Sequence, residues 1–284
     1  MMVLLYSIIV LGLMGTAAGL ILAYASKRFA AWQDPNVNQI EEVLPGVNCG
    51  ACGYAGCHAY AQAVASGKAP IDLCRPGANK VAAQIGEIMG QEAGEKEPKV
   101  AKRKCNGGNK EAKKKFDYGS IQTCKAASLV NNGYKQCSYS CLGFGDCALV
   151  CPVGAINMDE NNLPQIDMEK CIACEKCVIE CPRSILEMVP KKARVHVRCR
   201  SKDSAKNVVK ACSVGCIACR KCEKECPFDA IHVIDNLAVI DYSKCTSCGK
   251  CVKVCPHSII EQEPLPKKPG KKKKEGEEKN EEAD

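Results

Sequence analysis

The chain has 284 residues, 24 of them cysteine against one tryptophan and four phenylalanines, and a formal charge of +8 at pH 7. That length allows about two ordinary domains, but so few aromatic side chains cannot fill ordinary cores, so small units must be stapled through sulfur. A secreted disulfide scaffold is disfavoured, because the cysteines fall in metal-cluster runs that need reduced thiols and therefore a reducing compartment.

Residues 1–26 carry no charged side chain, and Lys27 and Arg28 follow at once. About 20 apolar residues cross a bilayer core, so a transmembrane anchor is expected over residues 1–27. A cleaved signal peptide would carry a basic n-region and a shorter apolar stretch. Positive charge just after the helix places the remainder on the cytoplasmic side, in keeping with reduced thiols. Gly12, Gly15 and Gly19 form a small-residue strip where another membrane helix could approach, although glycine is common in such helices anyway. Trp32 marks the expected membrane interface.

Residues 28–92 read as a small helical domain around Cys49, Cys52, Cys57 and Cys74, spaced C-x2-C-x4-C-x16-C. Gly50, Gly53 and Gly56 let the backbone turn tightly and aim N–H groups at sulfur. The Ala-rich stretch 58–66 predicts a helix ending at Gly67, which carries the chain back to deliver Cys74. A second short helix is expected within 75–92. Four cysteines then suit one [4Fe–4S] cluster. His58 adjoins Cys57, where it either tunes that cluster or sits as an ordinary surface histidine.

Residues 93–135 read as a polar, basic linker holding Cys105 and Cys124. Its Lys/Arg-dense part, 99–115, is either a solvated face or a docking surface for an acidic protein.

Two ferredoxin-like modules are expected next, at 136–190 and 191–262. A run C-x2-C-x2-C-x3-C-P wraps one cubane with its first three thiols and sends the fourth to the other cluster. In the second module this assigns Cys216, Cys219, Cys222 and Cys255 to one cluster, and Cys245, Cys248, Cys251 and Cys226 to the other. In the first module the regular run assigns Cys171, Cys174, Cys177 and Cys151. The other run is irregular: Phe144 stands where the middle cysteine belongs, and Cys137 lies four residues before Cys141. The simplest repair is a cluster on Cys137, Cys141, Cys147 and Cys181; a three-cysteine or [3Fe–4S] site is the alternative. Structural zinc would show two C-x2-C pairs on a longer loop and no C-P endings.

Five sites use twenty cysteines. Cys105, Cys124, Cys199 and Cys212 remain, and form either a sixth cluster at the seam of the modules or buried structural thiols. His196, His232 and His257 have no metal-ligand spacing. No G-x-G-x-x-G fingerprint follows a strand, and no paired acid–base group suggests bond-making catalysis. Residues 263–284 end in a basic block and an acidic block, a solvated tail. Membrane-surface attraction suits its lysines better than nucleic acid does. The fold class is α+β: one transmembrane helix, a small helical 4Fe-4S domain and two ferredoxin-like 2[4Fe–4S] modules.

The anchor followed by LPGVNCGACGYAGC…CRPG, with CSYSCLGFGDCALVCP leading the ferredoxin-like part, resembles the B subunit of the Rnf complex, the membrane-bound ferredoxin:NAD oxidoreductase of bacteria. The form with two ferredoxin-like modules and CNGGNKEAKKKFDYGSIQTC looks like the clostridial and acetogen-type proteins. The resemblance implies an electron wire of five or six [4Fe–4S] clusters with no catalytic residue of its own. It also implies exchange with soluble ferredoxin, membrane and flavin-bearing partner subunits, and Na+ or H+ translocation by the whole complex. The rival readings are an electron-transfer subunit of another membrane dehydrogenase or hydrogenase, and a zinc-binding scaffold.

Overall fold

The structure is a computed structural model and describes residues 2–29 and 34–264. Trp32 and the charged tail from 265 onward lie outside the described residues. Helix α1 (Met2–Phe29) is continuous, and its segment Ile9–Arg28 is long and apolar enough to cross a bilayer, with none of it buried against the rest of the chain.

Three helices build the next unit. Asp34 caps α2 (Pro35–Val43) by accepting the Asn36 amide, with Pro35 pre-set at the first helical position. α2 packs on α3 (Cys57–Ala65) and α4 (Ala78–Met89) around Val37, Ile40, Tyr60, Val64, Ile71 and Ile85. Tyr60 is 1% exposed. Its hydroxyl donates to the Pro70 carbonyl at 2.8 Å and accepts the Leu73 amide at 3.2 Å. Both partners lie on the loop that delivers Cys74, so a core side chain fixes a site loop.

The strands that follow form four two-stranded antiparallel sheets on one plan used twice. In the first copy β1 (Lys99–Arg103) pairs with β4 (Leu186–Pro190), outside the hairpin of β2 (Ile156–Met158) and β3 (Pro164–Ile166). In the second, β5 (Val195–Val197) pairs with β8 (Ile260–Gln262), outside the hairpin of β6 (Ile231–Ile234) and β7 (Leu237–Ile240). The expected linker 93–135 therefore needs correcting, because β1 belongs to the first ferredoxin-like repeat. Val100 and Ala101 are each 1% exposed under β4 and its surroundings. The lysines hid this strand from the sequence.

One of those lysines is itself buried. Lys102 is 4% exposed, and its ammonium meets Glu263 at 2.6 Å. Arg198 joins the same carboxylate at 3.0 Å, reaches Glu261 at 3.0 Å and donates to the Arg103 carbonyl at 2.9 Å. This network clamps the outer strand pairs of the two repeats together. Lys104 pairs with Glu187 at 2.8 Å. Of the run 99–115, read either as a solvated face or as a docking surface, Lys102, Arg103 and Lys104 thus spend their charge on carboxylates of this chain.

Candidate iron–sulfur sites

Each regular cysteine run coils through two left-handed residues that flank its middle cysteine: Ala173 and Glu175, Ala218 and Arg220, Ser247 and Gly249. Non-glycine residues rarely adopt positive φ, so its recurrence at matching positions marks a wrapping loop. Each run then enters a one-turn helix: α7 (Lys176–Glu180), α9 (Lys221–Lys224) and α10 (Lys250–Lys253). After three of the four C-P pairs an amide four residues on from the cysteine meets its sulfur. Ala155 N–H lies 3.3 Å from Cys151 Sγ, Ile185 N–H 3.4 Å from Cys181 Sγ, and Ala230 N–H 3.4 Å from Cys226 Sγ.

Cys49, Cys52, Cys57 and Cys74 line one cavity with Leu44 and Tyr60 (site 1). Asn48, itself at positive φ, accepts the Cys57 amide at 2.8 Å. A Cβ on Gly56 would meet that Asn48 oxygen at 2.9 Å, so the close approach requires glycine. His58 is exposed and spends both ring nitrogens on Glu41 of α2 at 2.7 Å and Gln62 at 3.0 Å, the surface role.

Cys151, Cys171, Cys174 and Cys177 gather as site 3; burial and the neighbouring thiols push Cys177 up to about 12. Cys216, Cys219, Cys222 and Cys255 line one cavity (site 4). Cys226, Cys245, Cys248 and Cys251 line another, with Phe228 and Ile231 (site 5). Burial pushes Cys222 up to about 12 and Cys251 up to about 11. Ligation of metal requires such thiols to release their protons.

The irregular run departs from the expected grouping. Cys141-Leu142-Gly143-Phe144-Gly145 keeps the two left-handed turns, at Gly143 (φ 81°) and Gly145 (φ 86°), around Phe144. Phe144 packs on Tyr134 and Tyr118, at ring centroids of 5.8 and 6.4 Å. Its amide points at the Cys124 sulfur. Cys124, Cys141, Cys147 and Cys181 line one cavity (site 2), so Cys124 fills the gap that Phe144 leaves. Cys124 opens α5 (Cys124–Leu129), which Thr123 caps, and Asp146 at the start of α6 (Asp146–Leu149) accepts its amide. The expected set Cys137, Cys141, Cys147 and Cys181 is thus not brought together.

Cys137 instead joins Cys105, Cys199 and Cys212 at the seam of the repeats. The expected seam set of Cys105, Cys124, Cys199 and Cys212 is corrected by the same exchange. Cys105 Sγ accepts the Cys141 amide at 3.5 Å, which links the seam to site 2. Cys199 Sγ accepts the Cys216 amide at 3.3 Å, which links it to site 4. Lys135 lies here at 1% exposure, with its ammonium 3.2 Å from the Gly107 carbonyl. No carboxylate pairs with it among the described residues.

The donor sets fit [4Fe–4S] clusters. Each quartet supplies four thiols, the usual complement. Among the described residues no three His, Cys, Asp or Glu side chains converge as one metal ion needs, with zinc–sulfur bonds of about 2.3 Å. Four of the quartets surround a cavity instead.

The family described as "Putative Fe-S cluster" matches residues 44–76, and two families, each described as "4Fe-4S dicluster domain", match 136–185 and 215–260 respectively. The chain is 45% identical over 236 residues to the B subunit of the Na(+)-translocating ferredoxin:NAD(+) oxidoreductase complex of Acetobacterium woodii, covering 83% of this chain and 71% of the relative. It is 46% identical over 239 residues to the B subunit of the proton-translocating ferredoxin:NAD(+) oxidoreductase complex of Clostridium ljungdahlii, covering 84% of each. To the B subunit of the ion-translocating oxidoreductase complex of Methanosarcina acetivorans it is 43% identical over 243 residues, 86% of this chain and 92% of the relative. The chain belongs to the family of B subunits of ion-translocating oxidoreductase complexes. As a member with two dicluster domains, it is an iron–sulfur electron-transfer protein, and the apolar α1 is compatible with membrane association.

Proposed function

We propose that this chain is a membrane-anchored wire that takes electrons from soluble ferredoxin at sites 4 and 5 and hands them on beside site 1, to membrane and flavin-bearing subunits of a ferredoxin:NAD oxidoreductase. α1 spans the membrane once and the remainder faces the cytoplasm. The ligand sets are Cys49, Cys52, Cys57 and Cys74 at site 1, and Cys124, Cys141, Cys147 and Cys181 at site 2. They are Cys151, Cys171, Cys174 and Cys177 at site 3, Cys216, Cys219, Cys222 and Cys255 at site 4, and Cys226, Cys245, Cys248 and Cys251 at site 5. Bound clusters supply one-electron carriers; the chain holds them in series and shields them.

The observation that carries this reading is adjacency. Cys174 of site 3 faces Cys49 of site 1, and Arg75, beside Cys74, forms an ion pair with Glu175, beside Cys174. Cys177 of site 3 faces Cys147 of site 2. The two runs of the second repeat exchange their fourth cysteines, which ties site 4 to site 5.

Charge supports the direction of entry. Residues 191–262 carry fourteen Lys and Arg against seven Asp and Glu, net +7, whereas residues 136–190 carry three against eight, net −5. Of all the cysteines only Cys219 and Cys248, at sites 4 and 5, are exposed. An acidic partner is drawn to the basic repeat, where sulfur is nearest the surface. The relatives named for Na+ and for protons are equally similar to this chain, which supports an ion choice made elsewhere in the complex.

The test is anaerobic purification of the full chain in detergent, followed by iron and sulfide analysis. Stopped-flow reduction by an acidic two-cluster ferredoxin at rising salt then follows the docking. A brown protein whose reduction rate falls steeply with salt is expected. A colourless chain with stoichiometric zinc would overturn the wire, and a salt-independent rate would overturn the docking site.

A further inference from the structure

We propose that the acidic block at 275–284 occupies a lysine patch beside the seam of the two repeats, made by Lys110, Lys113 and Lys115 with Lys206 and Lys210, and that an acidic redox partner must displace it to dock. The inference rests on the ferredoxin-docking reading above and adds a tethered competitor to it.

The patch is built by backbone pairing and then left without anions. The strap 110–115 runs along the end of α8 (Ala205–Ala211). The Lys113 amide donates to the Ala211 carbonyl at 2.9 Å, and the Ser213 amide donates to the Glu111 carbonyl at 3.1 Å. Lys113 therefore stands beside Lys210, and Lys206 lies one turn earlier on the same stripe of α8. Lys110 and Lys115 flank Lys113 on the strap. All five are exposed. Among the described residues none of the five has an ion-pair partner, whereas Lys114 and Lys202 on the same segments do, with Asp117 at 2.8 Å and Asp235 at 3.0 Å. The carboxylate inside the strap is spent elsewhere: Glu111 accepts the Gly108 amide at 3.1 Å and the Asn161 side-chain amide at 2.6 Å. Like charges at i and i+4 repel, so the bare patch favours an anion.

The complementary charge is in the same chain. Residues 275–284 read EGEEKNEEAD, six carboxylates against one lysine. The tether is long enough to deliver them. Glu263 is held at the seam by Lys102 and Arg198, and the Arg198 carbonyl accepts the Asn106 amide at 3.0 Å, just before the strap. Glu275 follows Glu263 by twelve residues, and Lys113 follows Asn106 by seven. At no more than about 3.5 Å per residue, the acidic block reaches up to about 40 Å from Glu263, while Lys113 lies within about 25 Å of Asn106.

The patch is continuous with the surface offered to ferredoxin. Lys206 and Lys210 belong to the basic repeat, and Cys216 and Cys219 of site 4 follow α8 closely. A segment on so short a tether acts at roughly millimolar effective concentration, and its contacts between exposed charges weaken with salt. The tail thus turns away weakly charged proteins and yields to a partner that presents a larger acidic face.

The experiment uses the full chain in detergent, purified without oxygen. Zero-length carbodiimide cross-linking, read by mass spectrometry of the monomer, should join carboxylates of 275–284 to Lys113, Lys206 or Lys210. These links should fade at high salt and in Lys206→Gln/Lys210→Gln. Links to the tail's own lysines at 267–274 alone would overturn the contact. Stopped-flow reduction by an acidic two-cluster ferredoxin tests the competition, with Glu275, Glu277, Glu278, Glu281 and Glu282 all changed to Gln. At low salt and subsaturating ferredoxin this variant should be reduced several-fold faster than the native chain, and the two rates should converge at high salt. Equal rates at low salt would overturn the competitor. A fully iron-loaded chain that ferredoxin does not reduce at all would overturn the docking reading beneath it, and the cross-links would still decide the tail contact.

Discussion

Asp146 Oδ1 accepts the amide of Cys124 at 2.9 Å, and the other oxygen of the same carboxylate accepts the Lys125 amide at 3.2 Å. A residue inside the irregular cysteine run thus holds the first turn of a helix 22 positions upstream, and that turn carries the thiol that replaces Phe144. Asp146 is 6% exposed, so the bonds are made away from water. Asp146→Ala should strand two amides at a cost of about 1–3 kcal/mol and loosen Cys124. The expected result is loss of site 2 iron, about four atoms per chain, with the other sites filled. Iron analysis with EPR of the reduced chain reads this directly, and full loading in Asp146→Ala would show that Cys124 needs no such tether.

A second prediction separates the two cysteines that exchange places. Cys124→Ser should disturb site 2, and Cys137→Ser should spare it, because Cys137 stands at the seam. Adding Phe144→Cys to Cys124→Ser puts a thiol back on a turn whose left-handed flanks, Gly143 and Gly145, are already set. The double variant should regain site 2, at a packing cost of about 2–3 kcal/mol from the lost ring. A double variant no better loaded than Cys124→Ser alone would mean that the Phe144 turn cannot present a ligand.

The cysteine spacing assigned five quartets, and the structure groups four of them in the same way and the fifth with one cysteine exchanged, because a loop with fixed left-handed turns is a local structure whose period is written in the chain. What it could not reveal was any partner chosen over distance. Cys137 precedes Cys141 by four residues and reads as a natural substitute ligand, yet Cys124 wins through Asp146 and the aromatic cluster of Tyr118, Tyr134 and Phe144. The signal was present in part: an aspartate stands directly before Cys147, where the regular runs have Lys176, Lys221 and Lys250. β1 was lost for a similar reason. Lys102 reads as solvent-exposed in any pattern and becomes buried only because Glu263, 161 residues later, returns to meet it.

That pairing yields a third prediction. Glu263 faces Lys102 and Arg198, which are 4% and 7% exposed. Glu263→Gln would leave two buried cations short of an anion, a loss of about 3–5 kcal/mol. Glu97 meets Lys192 at 2.7 Å on the surface, and Glu97→Gln should cost no more than about 0.5 kcal/mol. Denaturant unfolding of the two variants under argon makes the comparison. Equal midpoints would remove the clamp as a source of stability at the seam.

The same clamp predicts an acid weakness. His196 is 2% exposed. Its Nδ1 meets the Tyr242 hydroxyl at 3.1 Å, and Glu263, Arg198 and Lys102 face it from the neighbouring strands. Burial is the largest influence and pulls His196 down from 6.5 to about 4, with Glu263 opposing and the two cations assisting. The folded state therefore holds the ring neutral where the unfolded chain would already have taken up a proton. Stability from this group is complete above pH 6.5 and is lost as pH falls toward 4, on the order of 3 kcal/mol in all. Burial opposes the charge on Glu263, but its bond and charge contact with Lys102, helped by His196 and Arg198, hold its carboxyl below the ordinary 4.5, so its own loss of charge comes on the acid side of that value. Exchange of the β5 and β8 amides at about pH 7.5 and about pH 5.5 should show faster opening in acid. His196→Phe removes the titrating ring, so its opening should differ far less between the two conditions. An unchanged pH dependence in that variant would assign the acid sensitivity to the sulfur ligands instead.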